Sequence, residues 1–302
     1  MHKRSWTAAG CALLAAALYA LSAPLSKLLL GKLPETLMAS LLYLGAGLGM
    51  AAVGAFKSRP EAGQPFRLAK AERPYAVWMI VLDMAAPVLL MLGLKQTTAA
   101  NTSLLNNFEI VITALAAMLF FGEAVSRRLW LAIALITLSS AILSFEDFGS
   151  LRFSAGSALV LLACACWGFE NNCTRMLSSK DPMKIVAIKG AGSGLGNLII
   201  ALALGEAASD FLAVLGALAL GFVAYGLSIY FYVCAQRSLG AAKTSAYYAV
   251  APFIGMTLSF LIFRNVPGTP FWIALGLMIA GVVFAATDIQ NVRDLQEPAD
   301  CR

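Results

Sequence analysis

Four ionisable side chains stand in stretches otherwise dominated by Leu, Ala, Val, Ile and Phe: Asp83, Glu109, Glu170 and Lys189. A charge in such surroundings costs roughly 2.5–3.5 kcal/mol on insertion scales, so each needs a partner or a task. The chemistry open to them is the handling of protons and ions. A carboxylate there can bind an ammonium group or, since burial favours its neutral form, carry a proton. Glu109 lies about eleven residues into its apolar run and shares a helical face with Thr102, Asn106 and Thr113, through spacings of four, three and four. Such a stripe cannot face lipid, so it faces a cavity or another helix. A protonated Glu109 bonded to a neighbouring helix is the structural alternative. Asp83 stands one turn before Pro87, whose missing N–H frees a backbone carbonyl, and both a structural and a functional role stay open for it.

Glu170 falls eight residues before Ser178 and Lys189 seven after Pro182, on either side of a short turn, so both sit roughly 10 Å from the same membrane face at 1.5 Å per residue. Two readings stay open. One is an ion pair locking two helices; the other is a site where Lys189 receives a substrate carboxylate or phosphate and Glu170 releases it. Ser193 and Asn197 extend the Lys189 stripe and would give an anion more donors, while Asn171 and Asn172 flank Glu170. Tyr225 shares a face with Ser228 and Tyr232, and Tyr248 with Thr244 and Pro252, which places aromatic rings where an organic substrate could stack. Pro24, Pro87 and Pro252 are kinks with gating potential, and Glu123 at a helix end reads as gate or cap chemistry. The six cysteines form no CxxC and the single histidine is His2, so neither a metal site, a cofactor nor a disulfide framework is expected. No HExxH, GxSxG or P-loop supports an enzyme or an ATP-driven pump.

The elements that must position these groups are apolar runs long enough to cross about 30 Å of hydrocarbon. Of 302 residues, 60% are hydrophobic and 13% charged, and ten runs recur: 6–30, 34–56, 74–96, 98–121, 128–146, 154–177, 183–205, 210–235, 242–263 and 269–287. Their length and lack of alternation predict an all-α membrane protein and exclude barrel strands. Lys and Arg divide sixteen to five between the two sides when both termini are cytoplasmic, which accounts for the net charge of +6 without a nucleic-acid partner. Pro24 after LSA (21–23) disfavours cleavage, so the first run is read as a helix and not a signal peptide.

The halves repeat. LLAAALYALSAPLSKLL (13–29) aligns with LLACACWGFENNCTRML (161–177), and GLKQTTAANTS (93–103) with CAQRSLGAAKTS (234–245). Residues 1–148 and 149–302 therefore read as two five-helix units, inverted because five is odd, around a central cavity as in secondary transporters. The alignment sets Asp83 against Tyr225, Glu109 against Ala251, Glu170 against Ser22, and Lys189 against Leu41 or Leu42. No twin is charged, which points to substrate or proton handling or to asymmetric packing. Gly45, Gly47 and Gly49 match Gly190, Gly192, Gly194 and Gly196 as close-packing ladders.

Several motifs resemble the drug/metabolite transporter superfamily, in its EamA-type branch. They are PLSK (24–27), Trp167-Gly168 with Arg175, FFGE (120–123) before Arg127-Arg128, CWGFENNCTRMLSSKDP (166–182) and IVAIKGAGSG (185–194). Two departures stand out: Arg264-Asn265 where a second Gly-Glu would fall, and Ile110 opposite Pro252. The resemblance implies an inverted-repeat bundle moving small metabolites, often outward, down a proton or substrate gradient. Acids in the third and fourth runs with a lysine in the seventh then suggest proton-coupled export of an amino-acid-like or amine metabolite across a bacterial cytoplasmic membrane. The expected partners are that small molecule, H+ and lipid, with the chain a monomer or weak homodimer. A flippase for lipids or lipid-linked sugars is the alternative, and a membrane-embedded enzyme a more distant one.

Overall fold

Capping residues decide where the helices begin. Ser126, Ser154 and Asp210 each accept a bond from a backbone N–H three residues on, and Asp181 accepts one from Met183, with Pro182 next in the first turn where no N–H is needed. The computed structural model describes residues 2–56, 68–121, 125–147, 152–177, 180–235, 247–265 and 267–294. Glu123 and Thr244 lie outside them.

In chain order the helices are α1 His2–Ala20, α2 Ser22–Leu29, α3 Glu35–Phe56, α4 Arg73–Gln96, α5 Ala99–Leu105, α6 Phe108–Phe121, α7 Arg127–Ser144, α8 Ala155–Met176, α9 Pro182–Ala203 and α10 Phe211–Leu220. A π-helical segment, Gly221–Leu227, leads into α11 (228–235), followed by α12 Ala251–Phe263 and α13 Thr269–Asp294. A two-stranded antiparallel ribbon, Phe145–Asp147 with Arg152–Phe153, joins the halves. Eight helical spans among the described residues are long and apolar enough to cross a membrane: Thr7–Leu29, Glu35–Ala55, Lys70–Gln96, Ala99–Phe120, Arg127–Ser144, Met183–Ala203, Phe211–Ala235 and Thr269–Thr287. α12 is shorter, at 13 residues. α8 has 22 residues but spends three on Glu170, Asn171 and Asn172. Large apolar side chains such as Leu119 (71% exposed) and Leu212 (76%) point outward, as in a protein solvated by hydrocarbon.

Two expected helices are broken at mid-span. The first run splits at Leu21, because Pro24 has no N–H for the Ala20 carbonyl and Leu21 N turns to Leu18 O at 3.3 Å. The fourth splits at Asn106-Asn107, where Asn107 N bonds Leu104 O at 3.1 Å and Glu109 N bonds Asn106 O at 3.2 Å. Asn is a poor helix former whose side chain competes for the backbone. In the ninth run the described chain likewise turns at Ala249-Val250 before Pro252 enters the first turn of α12.

Packing follows the repeat. α3 packs on α9 and α7 on α13, each pair mapping onto itself when the halves are exchanged. α6 on α8 has its counterpart in α12 on α1, α4 on α8 in the π segment on α1, and α3 on the π segment in α9 on α4. α3 and α9 touch backbone to backbone. A Cβ on Gly47 would lie 2.6 Å from Ala191 N, and one on Gly190 2.5 Å from Gly47 N, so no side chain fits at either place.

Candidate functional site

Asp83, Glu170 and Lys189 come from α4, α8 and α9 and meet in the core. The Lys189 Nζ lies 2.9 Å from a carboxylate oxygen of Asp83 and 2.9 Å from one of Glu170. Asp83 is fully buried, Glu170 1% exposed and Lys189 8%. The second oxygen of Asp83 accepts from the Tyr43 hydroxyl at 3.0 Å, and the Tyr43 oxygen in turn accepts from Trp167 Nε1 at 3.3 Å. The second oxygen of Glu170 accepts from the Thr174 hydroxyl one turn further along α8. Both carboxylates are thus engaged at both oxygens. A buried pair survives only when the remaining lone pairs are satisfied in this way.

Ser193 and Asn197 follow Lys189 along α9, but their side chains donate to the backbone carbonyls of Ile80 and Met84 on α4, each at 3.1 Å. They staple two helices and do not stand free for an anion. Asp83 meets Tyr43 and Lys189, and Pro87 lies buried one turn beyond it.

Glu109 sits in the first turn of α6, directly after the break, half-buried against α8. Its Oε1 accepts from the Asn171 amide at 2.5 Å, and Asn171 also reaches Thr113 Oγ1 at 3.4 Å. Asn106 is buried at the break, 3.9 Å from the Cys164 thiol. Gly168 lets the helices approach here: a Cβ on it would lie 2.6 Å from Ile112.

An aromatic wall adjoins the acids. Tyr225 packs against Tyr43 (centroids 5.4 Å apart) and Tyr19 (5.9 Å), and Tyr248 against Tyr19 (5.8 Å) and Tyr232 (5.0 Å). The Tyr225 hydroxyl shares a hydrogen bond with Ser22 at 2.7 Å, and that of Tyr248 with Ser228 at 3.4 Å. Tyr43 and Tyr19 were not singled out by sequence reasoning, nor was Thr174. Thr174 had a signal in its i, i+4 spacing from Glu170, whereas Tyr43 had none, being one aromatic in an apolar helix. Among the described residues no group of three or more His, Cys, Asp or Glu could hold a metal ion.

A model of the EamA-like transporter family matches this chain twice, over residues 6–145 and 154–287. The chain belongs to the EamA-like transporter family. The described residues of the interval between the two matched segments, 146–147 and 152–153, belong to the ribbon. A relative from Methanothermobacter thermautotrophicus, described as an uncharacterized transporter, is 28% identical over 210 residues. That match covers 68% of this chain and 60% of the relative's length. A solved crystal structure superposes over 95% of this chain and 98% of its own with a TM-score of 0.65 at 19% identity, a likeness of fold. As an EamA-like protein the chain is a multi-pass membrane protein of a transporter family.

Proposed function

We propose that the chain crosses a bacterial cytoplasmic membrane ten times as two inverted five-helix halves, 1–148 and 149–302, with both termini cytoplasmic. It exports a small amine-bearing metabolite, amino-acid-like or a simple amine, in exchange for protons by alternating access. Each half contributes an odd number of spans, and the pairings of α3 with α9, α7 with α13, α6 with α8 and α4 with α8 have counterparts on exchanging the halves; both favour the inverted arrangement. The charge balance of the described core carries the substrate class. Asp83, Glu109 and Glu170 face a single lysine, and the two acids beside Lys189 already neutralise it. A substrate carboxylate finds no uncommitted cation there, whereas an ammonium group finds Glu109 held by the neutral Asn171 amide, with the tyrosine wall alongside. Pro24 and Pro252 stand at helix breaks around this site and Pro87 lies inside the continuous α4; all three serve as the flexible points of the gates, with Glu123 assigned to the cytoplasmic gate from sequence alone.

The test is a reconstituted liposome holding an internal pH dye, challenged with a panel of amino acids and amines. Wild type should move protons with at least one amine substrate. Glu109→Gln should keep its fold and lose substrate-linked proton flux by about 10²-fold or more, the scale of a removed proton-transfer group. Equal flux from the variant would overturn the role of Glu109. Flux with carboxylates lacking an amine, and none with amines, would overturn the substrate class.

A further inference from the structure

A cavity of about 610 Å³ opens at the end of the bundle that the proposed orientation places outside. Its walls include Lys27, Ala99, Asn101, Ser259, Phe260 and Phe271. Beneath it lies a small void of about 10 Å³ whose walls include Ala23, Ser103, Asn106, Pro252 and Gly255. On each of three helices the two spaces are offset by four residues: Lys27 to Ala23 on α2, Ala99 to Ser103 on α5, and Ser259 to Gly255 on α12. Four residues are one helical turn, about 6 Å. The same three helix faces line both spaces, and a single turn of helix divides them.

Gly255 sets that division. A Cβ there would lie 2.9 Å from Ser103 Oγ and 3.1 Å from the Ala20 carbonyl oxygen, the carbonyl that Pro24 leaves without a helical donor. The hydroxyls of Ser26, Thr102 and Ser103 are buried at this level with no hydrogen-bond partner. Polar groups so placed normally find a partner, and Ser103, which lines the void, lies where a passing polar molecule would supply one. The Lys27 ammonium donates to the carbonyls of Leu94, Lys95 and Thr97 at the end of α4, which engages its donors with backbone. The wall above is aromatic, and a few hundred Å³ is the size of a metabolite site.

Resting on the transport reading above, we propose that the seam of α2, α5 and α12 is the outer half of the substrate path. The cavity is an outer vestibule that takes the uncharged or aromatic part of the cargo, and the constriction of Ala20, Ser103 and Gly255 is a gate one helical turn thick above Glu109.

Asn101→Cys places a thiol in the vestibule and Ser103→Cys, nearly isosteric, places one inside the constriction. A charged, membrane-impermeant methanethiosulfonate reagent is added to right-side-out vesicles, with wild type and its six cysteines setting the background. Asn101→Cys should label about tenfold faster than Ser103→Cys, as for a gate shut nine-tenths of the time. Adding Gly255→Ala should slow Ser103→Cys further. Equal rates at the two sites, both at background, or labelling of Asn101→Cys only in inside-out vesicles would each overturn the proposal. Proton flux measured on the same preparations separates the two claims. Flux retained with both sites dark sinks the seam and leaves transport standing. Graded labelling without flux sinks the transport reading and supports the vestibule and constriction.

Discussion

The trio of Asp83, Glu170 and Lys189 and its repeat-equivalent node, both formed between the halves, solve one architectural problem in two ways. The repeat sets Asp83 against Tyr225 and Glu170 against Ser22. In one node Lys189 bridges the two acids at 2.9 Å to each. In the other, the Tyr225 and Ser22 hydroxyls meet directly at 2.7 Å, and the lysine's place is filled by Leu41 or Leu42. Both contacts join the same kinds of helix. A neutral bond therefore suffices to dock them, and the charges do something docking does not require.

The sharpest way to break this comparison is Lys189→Leu. It leaves two buried carboxylates without a cation, a change that typically costs 3–5 kcal/mol. Folded yield and thermal midpoint in detergent should both fall steeply. The triple variant Asp83→Tyr, Glu170→Ser, Lys189→Leu copies the twin and should recover all but about 1–2 kcal/mol of that loss, within the range for repacked cores, while substrate-linked flux stays absent. A triple variant as unstable as Lys189→Leu would show that the two nodes are not equivalent.

Smaller effects sharpen it. Tyr43→Phe removes a hydroxyl from an ionised partner, worth about 1.5–3 kcal/mol, whereas Tyr225→Phe removes a neutral bond, worth about 0.5–1.5 kcal/mol. Chemical denaturation of both variants should rank them in that order. The reverse ranking would mean that Asp83 draws little from Tyr43.

Much of the site was readable from residue types and spacing, and the remainder depends on contacts that spacing cannot reach. The shared depth of Glu170 and Lys189 followed from counting residues out from one turn, and they do pair. Asp83 joined them unannounced, because nothing in a sequence relates position 83 to position 189 until α4 and α9 pack. The Ser193 and Asn197 stripe was placed on the right face, but a stripe says nothing about whether its partner is cargo or a neighbouring carbonyl. The breaks at Pro24 and Pro252 could be anticipated from a missing N–H. The break at Asn106-Asn107 has no such cause within the backbone, and its helix looked continuous.

The glycine crossing of α3 and α9 has a metrological consequence. The space for a Cβ on Gly190 is filled by the Tyr43 carbonyl at 2.8 Å, and Gly190 is the immediate neighbour of Lys189. Tyr43 and Lys189 are the two residues that grip Asp83 from α3 and α9. Their separation is therefore gauged by main chain against main chain, a distance that no rotamer can alter. Rotamer changes in the side chains around the site leave that gauge unaltered, because two bare stretches of backbone set it.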